Sequence, residues 1–349
     1  MKTIGITTTV PVEVLLAAGY QAIDLNNIFV SDPDPERLVT IAERDGFPIN
    51  CCTWIKGIYG IVMESGIDKV ICVTNGDCSN TEMLMEVLKL KGVEAIPFAY
   101  PDSPNLLHMQ ACLESLARSL NTTVERAETM RQKLDPARAM ARELDELTWA
   151  KNIVSGRENH FRLVTASDFA GDVREYEAGI SRLLDECKGR EPYSDSMLRL
   201  AYIGVPPIFA RDLYRFIERC GAHVVFNEIQ RQFTMPHVCG SLAEQYTKYT
   251  YPYSLSERLD DILPEIERRR VDGVIHYVQA FCHRGIGDIV FRNNIALPML
   301  TLEGNNEYVL TQHHKTRIEA FIDVVKRTRH GKIDAPHLVP ADKPGVNRK

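Results

Sequence analysis

No C-x-x-C pair occurs anywhere in the 349 residues, although the chain carries nine cysteines. That absence excludes zinc ribbons and thioredoxin-type redox motifs. No apolar run approaches the roughly 20 residues that a bilayer-spanning helix needs. A Gly-rich phosphate loop is also missing, so any step that hydrolyses ATP falls to a partner. There is no excess of positive charge: 41 Lys and Arg stand against 47 Asp and Glu, a net charge of −6. No basic field therefore argues for nucleic acid or an anionic membrane. Residues 1–9 lack a signal peptide's long apolar region and cleavage site, which predicts a cytoplasmic protein. No repeat of short fixed period is visible.

The composition is that of a chain with a substantial core, at 44% apolar and 25% charged residues. Residues 1–102 alternate strands and helices, with strands at 2–8, 21–29, 69–74 and 94–100. Repeated strand–helix–strand units predict an α/β fold with a mostly parallel sheet and right-handed crossovers. Residues 103–195 change to helix, at 106–120, 124–134, 137–154 and 168–187, with Ser167 as the expected N-cap of the last. Residues 196–330 return to alternation, with strands at 198–204, 223–229, 272–279 and 297–302 and a closing helix at 316–329. The organisation expected is two Rossmann-like domains joined by a helical segment, with residues 331–349 a flexible tail.

Nine cysteines is a high and odd number for a cytoplasmic chain this large, which has no need of disulfide staples. Cys72, Cys112, Cys187 and Cys220 lie inside strand or helix patterns and read as small buried hydrophobes. Three others have a different setting. Cys78 follows a first-domain strand, and Cys282 follows the apolar strand that runs from Asp272 to Gln279. Cys52, or its neighbour Cys51, precedes a helix, where amide donors and the helix dipole favour a thiolate. If the carboxyl ends of the two sheets face each other, the three meet in one cleft. Three thiolates without a fourth suit an iron–sulfur cluster with one open iron; a three-cysteine zinc site is the competing chemistry.

Several stretches together resemble a known family. Thr9-Val-Pro-Val-Glu13-Val-Leu-Leu-Ala-Ala-Gly19 is similar to its opening segment, and Thr316-Arg-Ile-Glu-Ala-Phe321 to its closing helix. Asn50-Cys-Cys52-x-x-Ile-Lys56, Asp77-Cys78 and Phe281-Cys282-His283 fall in the order of its three cluster cysteines. The ordered set resembles the D-component family of the 2-hydroxyacyl-CoA dehydratases, which includes the benzoyl-CoA reductase core subunits. The resemblance spans most of residues 1–328. It implies a [4Fe–4S] cluster on Cys52, Cys78 and Cys282, and one-electron dehydration or reduction of an acyl-CoA-like substrate. It also implies a homodimer or a paralogous second subunit, and an ATP-hydrolysing iron–sulfur activator protein. Gly204-Val-Pro206 and Asn227-Glu-Ile229 stand where relatives with a double-cubane cluster carry extra cysteines, which implies a single cubane. After Leu302-Glu-Gly304, Asn305-Asn-Glu307 replaces the family's acidic residue and Pro-Gly, so the acyl group is not assigned by analogy.

Other residues have two readings each. Glu228 and Arg231 follow the second strand of the second domain and are expected to point into the cleft. There Arg231 could hold a carboxylate or phosphate; a structural salt bridge is the alternative. His283 and Arg284 could tune the cluster by hydrogen bonding or move a proton. Cys239 is a spare ligand outside the core three, and His276 reads as a core histidine. Tyr246, Tyr249, Tyr251 and Tyr253 are an aromatic wall or ordinary packing. His313 and His314 read as exposed. A non-catalytic electron carrier or maturation protein and a two-domain small-molecule binding module remain the other functional classes.

Overall fold

The computed structural model describes residues 2–331, so the tail expected at 331–349 lies, apart from Gly331, outside the described residues. Among the described residues eight strands form two separate four-stranded sheets, all parallel. The first contains β1 (Lys2–Ile6), β2 (Tyr20–Asp24), β3 (Lys69–Asn75) and β4 (Glu94–Ala99), in the order β2-β1-β3-β4. The second contains β5 (Leu198–Gly204), β6 (Ala222–Asn227), β7 (Gly273–Gln279) and β8 (Met299–Gly304), in the order β6-β5-β7-β8. The two sheets thus repeat one topology. In each, the chain changes direction across the sheet beside the first strand, and ligands of such folds sit outside the carboxyl ends of the strands there.

The central strands are buried because helices cover both faces, so their sequences are continuous apolar runs such as Val70-Ile-Cys-Val73. Helices begin where a side chain satisfies the first free amides. Asp34 caps Pro35–Arg44, Asn105 caps Leu106–Ser119 and Ser254 caps Leu255–Arg268. The expected strand at 21–29 is shorter. Asp24 accepts from the Asn26 amide, and the chain turns at once into a helix, Leu25–Ser31.

The helical segment differs from expectation in three ways. The helices expected on either side of Pro136 are one helix, Val124–Trp149. Pro136 removes one intrahelical bond, but Leu134, Ala137, Arg138 and Ala141 are buried around it and hold the axis. A further helix, Gly156–Val164, starts with a full capping box between Ser155 and Glu158. Ser167 is not an N-cap; left-handed Phe169 and Ala170 break the run, and Asp172 caps Val173–Cys187. The segment following β6 also forms helix, at Glu228–Phe233 and Leu242–Lys248. Its Ile229, Phe233, Tyr246 and Tyr249 pack into the core of the first sheet with the long helices, so this stretch ties the two halves together.

A candidate active-site cleft with three cysteines

A cavity of about 530 Å³ opens where the carboxyl ends of the two sheets meet. Thr7 and Thr8 reach it from the end of β1, Cys78 from beyond β3, Pro206 and Ile208 from beyond β5, and Cys282 from beyond β7. Cys52, Cys78 and Cys282 all line it, and Cys51 and Cys239 do not. Cys52 is the residue before the helix Thr53–Ser65 and is only 5% exposed. Cys51 is half-buried and packs against the apolar cluster under that helix. Cys239 is held near the His237 carbonyl in the loop before Leu242–Lys248. Among the cysteines read as core residues, Cys72 and Cys187 are buried, whereas Cys112 and Cys220 are half-buried.

The three lining thiols sense one another: Cys52 and Cys282 each add to the charge around Cys78, and Cys282 to that around Cys52. Burial is the dominant influence on each. It pushes the Cys52 thiol up to about 11, against the amides of Trp54 and Ile55, which face its sulfur. Burial, then the charge of Asp77, pushes Cys78 up to about 12, and burial raises Cys282. The helix-terminus amides expected to favour a thiolate at Cys52 are present, but desolvation outweighs them. Among the described residues no group of three or more His, Cys, Asp or Glu side chains is gathered closely enough to hold a metal ion. The three cysteines line the cavity wall. Backbone amides stand beside each one, at Trp54 and Ile55, at Asn80, and at Arg284 and Gly285. Soft thiol donors with adjacent amides fit an iron–sulfur cluster, whose potential such hydrogen bonds tune.

Glu228 and Arg231 do not reach the cavity. Each is committed to the helix Leu255–Arg268. Glu228 accepts two bonds from the Arg258 guanidinium, both at 2.8 Å, and one from the Gly204 amide at 3.1 Å. Arg231 donates to both carboxylate oxygens of Asp261, at 2.9 and 3.0 Å, and to Glu265 at 3.3 Å. The helical turn at Glu228–Phe233 rotates both away from the lining and leaves Ile229 and Phe233 in it. His283 is exposed beside Ser79, outside this cavity, whereas Arg284 lines it. His276 is buried and bonded to Asp288 at 2.7 Å. Contrary to expectation, His314 is buried, stacked on Phe209, and only His313 is exposed. All four tyrosines are buried; Tyr251 also lines the cavity.

The sequence reading missed one feature of the lining, the pair Asp24 and Asp168. Both are buried, and among the described residues neither makes an ion pair. The Ser167 hydroxyl donates to Asp24 at 2.6 Å, and the Ala170 amide donates to Asp168 at 3.0 Å. Burial, then the charge of Asp24, pushes Asp168 up to about 7; burial also raises Asp24. The rest of the wall is largely apolar, with Ile23, Ile28, Trp54, Ile58, Phe161 and Val164.

The model of the family described as 2-hydroxyglutaryl-CoA dehydratase, D-component, matches residues 7–325, nearly the whole chain. The chain belongs to that family. Membership makes it a component of a dehydratase-type enzyme and implies further components. No curated protein matches the chain. Two parallel four-stranded sheets bear out the two Rossmann-like folds expected from the sequence. Among the described residues no helix is long and apolar enough to cross a membrane.

Proposed function

We propose that this D-component is the iron–sulfur subunit of a 2-hydroxyacyl-CoA dehydratase-type enzyme, working with a second subunit and an ATP-hydrolysing activator. The observation that carries this reading is the placement of Cys52, Cys78 and Cys282, alone among nine cysteines, on the wall of one cavity. These residues would hold a [4Fe–4S] cluster with one iron open to substrate. Such a group supplies a low-potential electron and a Lewis acid for the substrate's hydroxyl or carbonyl oxygen.

The chain's own residues supply the remainder. Ile23, Ile28, Ile58 and Val164 offer an apolar seat for an acyl chain and keep water from it. Asp24 and Asp168 share one buried environment, and two adjacent carboxyls there cannot both ionise easily. Near neutral pH the pair therefore holds a proton at the wall of the cleft, where a leaving oxygen or a substrate C–H could exchange it. A buried Cys52 and half-buried Cys78 and Cys282 on the wall of an apolar cavity favour this reading over an electron carrier, which would keep its cluster near the surface.

Anaerobic purification followed by iron and sulfide analysis with absorption spectra tests it. Four iron and four sulfide per chain are expected for one cubane, and Cys282→Ser is expected to lose both. Turnover should require reductant, ATP and activator together. Full activity in air without ATP would sink the reading.

A further inference from the structure

Cys78 and Cys282 stand on loops of different sheets, so neither sheet alone fixes the distance between them. Arg284 spans that gap. Its Nη2 donates to the Gly76 carbonyl at 2.7 Å, its Nε to the Asp77 carbonyl at 3.3 Å, and its Nη1 to the Tyr251 carbonyl at 3.2 Å. The Tyr251 hydroxyl closes the loop by donating to the Asp77 carboxylate at 2.8 Å. The guanidinium carbon also lies 4.4 Å from the centroid of the Tyr251 ring. Gly76 makes the approach possible: its φ is +95°, and a Cβ there would meet the Pro252 side chain at 2.7 Å.

The three acceptors of Arg284 are neutral carbonyls, so these bonds fix position, while the guanidinium charge also acts on the nearby Asp77 carboxyl. Two of them immediately precede Cys78, and the donor lies two residues beyond Cys282. A planar fork can bond several acceptors in fixed directions, which a single ammonium cannot. We infer that Arg284 is a positioning residue that sets the separation of Cys78 and Cys282 across the two sheets, and with it the geometry of the three-cysteine site. The inference rests on the reading of that site given above and adds the element that aligns it. Cys52 and Cys78 both belong to the first sheet's side, so their spacing does not cross from one sheet to the other and serves as an internal reference.

The test uses the full chain, reduced and metal-free, treated with a short bifunctional thiol alkylator, with linked peptides quantified by mass spectrometry. In Arg284→Lys and Arg284→Ala, the rate of Cys78–Cys282 linkage should fall about tenfold or more, as misplacing a reacting group does, while the Cys52–Cys78 rate holds. Tyr251→Phe, which removes only the hydroxyl bond to Asp77, should lie between. The lysine and phenylalanine variants keep the test decisive if the alanine variant does not fold. An unchanged Cys78–Cys282 rate overturns the positioning role, as does an equal fall in both rates in Arg284→Lys. Absence of any Cys78–Cys282 linkage in the unaltered protein instead overturns the three-cysteine site itself, and the inference with it.

Discussion

The backbone amide of Asp24 donates to the carboxylate of Asp168 at 2.7 Å, joining the end of β2 to a turn of the helical segment 144 residues away. That bond brings two carboxyls into one buried wall without a base to balance them. The Asp168 carboxyl is pushed up to about 7, first by burial and then by Asp24. In the unfolded chain it would titrate near 4. Between about pH 4 and 7 the folded state therefore holds a proton that the unfolded state has released, and stability falls as pH rises through this window. Asp168→Asn should flatten that decline, worth on the order of 4 kcal/mol at its upper end. Denaturant titrations at pH 4.5, 6 and 7.5, in both proteins, check this; an unaltered slope in the variant rejects the shared-proton pair.

Arg231 has a structural job. Its guanidinium is buried and bonded to Asp261 and Glu265; its removal leaves Asp261 without a guanidinium partner, whereas Glu265 keeps Arg268 and Arg269. Breaking a buried pair in this way typically costs about 3–5 kcal/mol. Arg231→Ala should lower the denaturation midpoint strongly and leave ligand affinity per folded molecule unchanged. Calorimetric binding of an acyl thioester to the folded fraction would expose a direct contact if one existed.

The helix that presents Cys52 is seated by two glycines. A methyl group at Gly60 would overlap the Leu38 carbonyl, and one at Gly57 the Phe29 ring. Backbone at Leu38 cannot yield as a flexible side chain would, so Gly60→Ala should separate the helices Thr53–Ser65 and Pro35–Arg44. The expected cost is about 1–3 kcal/mol of overpacking. Because Cys52 lies at the start of the displaced helix, iron retention should drop as well, measurable as iron per chain after anaerobic reconstitution.

How much could be read in advance follows from the range of each cause. The strands and the two sheets were legible because β-branched runs such as Val70–Val73 have a local signature, and strand–helix alternation limits the topology. Cys78 and Cys282 were legible as lining residues because the end of a parallel strand is a fixed place in such a fold. Asp24 and Asp168 were not, since their meeting depends on a left-handed break at Phe169 and Ala170 that no pattern announces. Glu228 and Arg231 misled because they follow a strand but enter a helix, whose turn carried both towards Arg258 and Asp261. The helix Gly156–Val164 had a signal in Ser155-x-x-Glu158, a capping-box spacing that could have placed it. Glu13, part of the opening motif, accepts from Arg138, Gln245 and Tyr246 in the interior, so that motif marks a packing joint.

The adjacent cysteines Cys51 and Cys52 separate the proposed site from its neighbourhood. They differ by one residue, yet only Cys52 faces the cavity, with the Trp54 and Ile55 amides towards its sulfur. Cys51 is half-buried, faces the packed side and lies near Lys56. Serine at position 52 replaces a soft sulfur with a hard oxygen that ligates iron in a cluster poorly. Serine at position 51 changes a packing contact only. Cys52→Ser should therefore lose most iron and sulfide and the visible absorption with them, while Cys51→Ser keeps all three within the scatter of the unaltered protein. The two variants prepared side by side under anaerobic reconstitution decide between the positions. Loss of iron in Cys51→Ser with retention in Cys52→Ser would mean that the start of the Thr53–Ser65 helix turns its other thiol to the cluster.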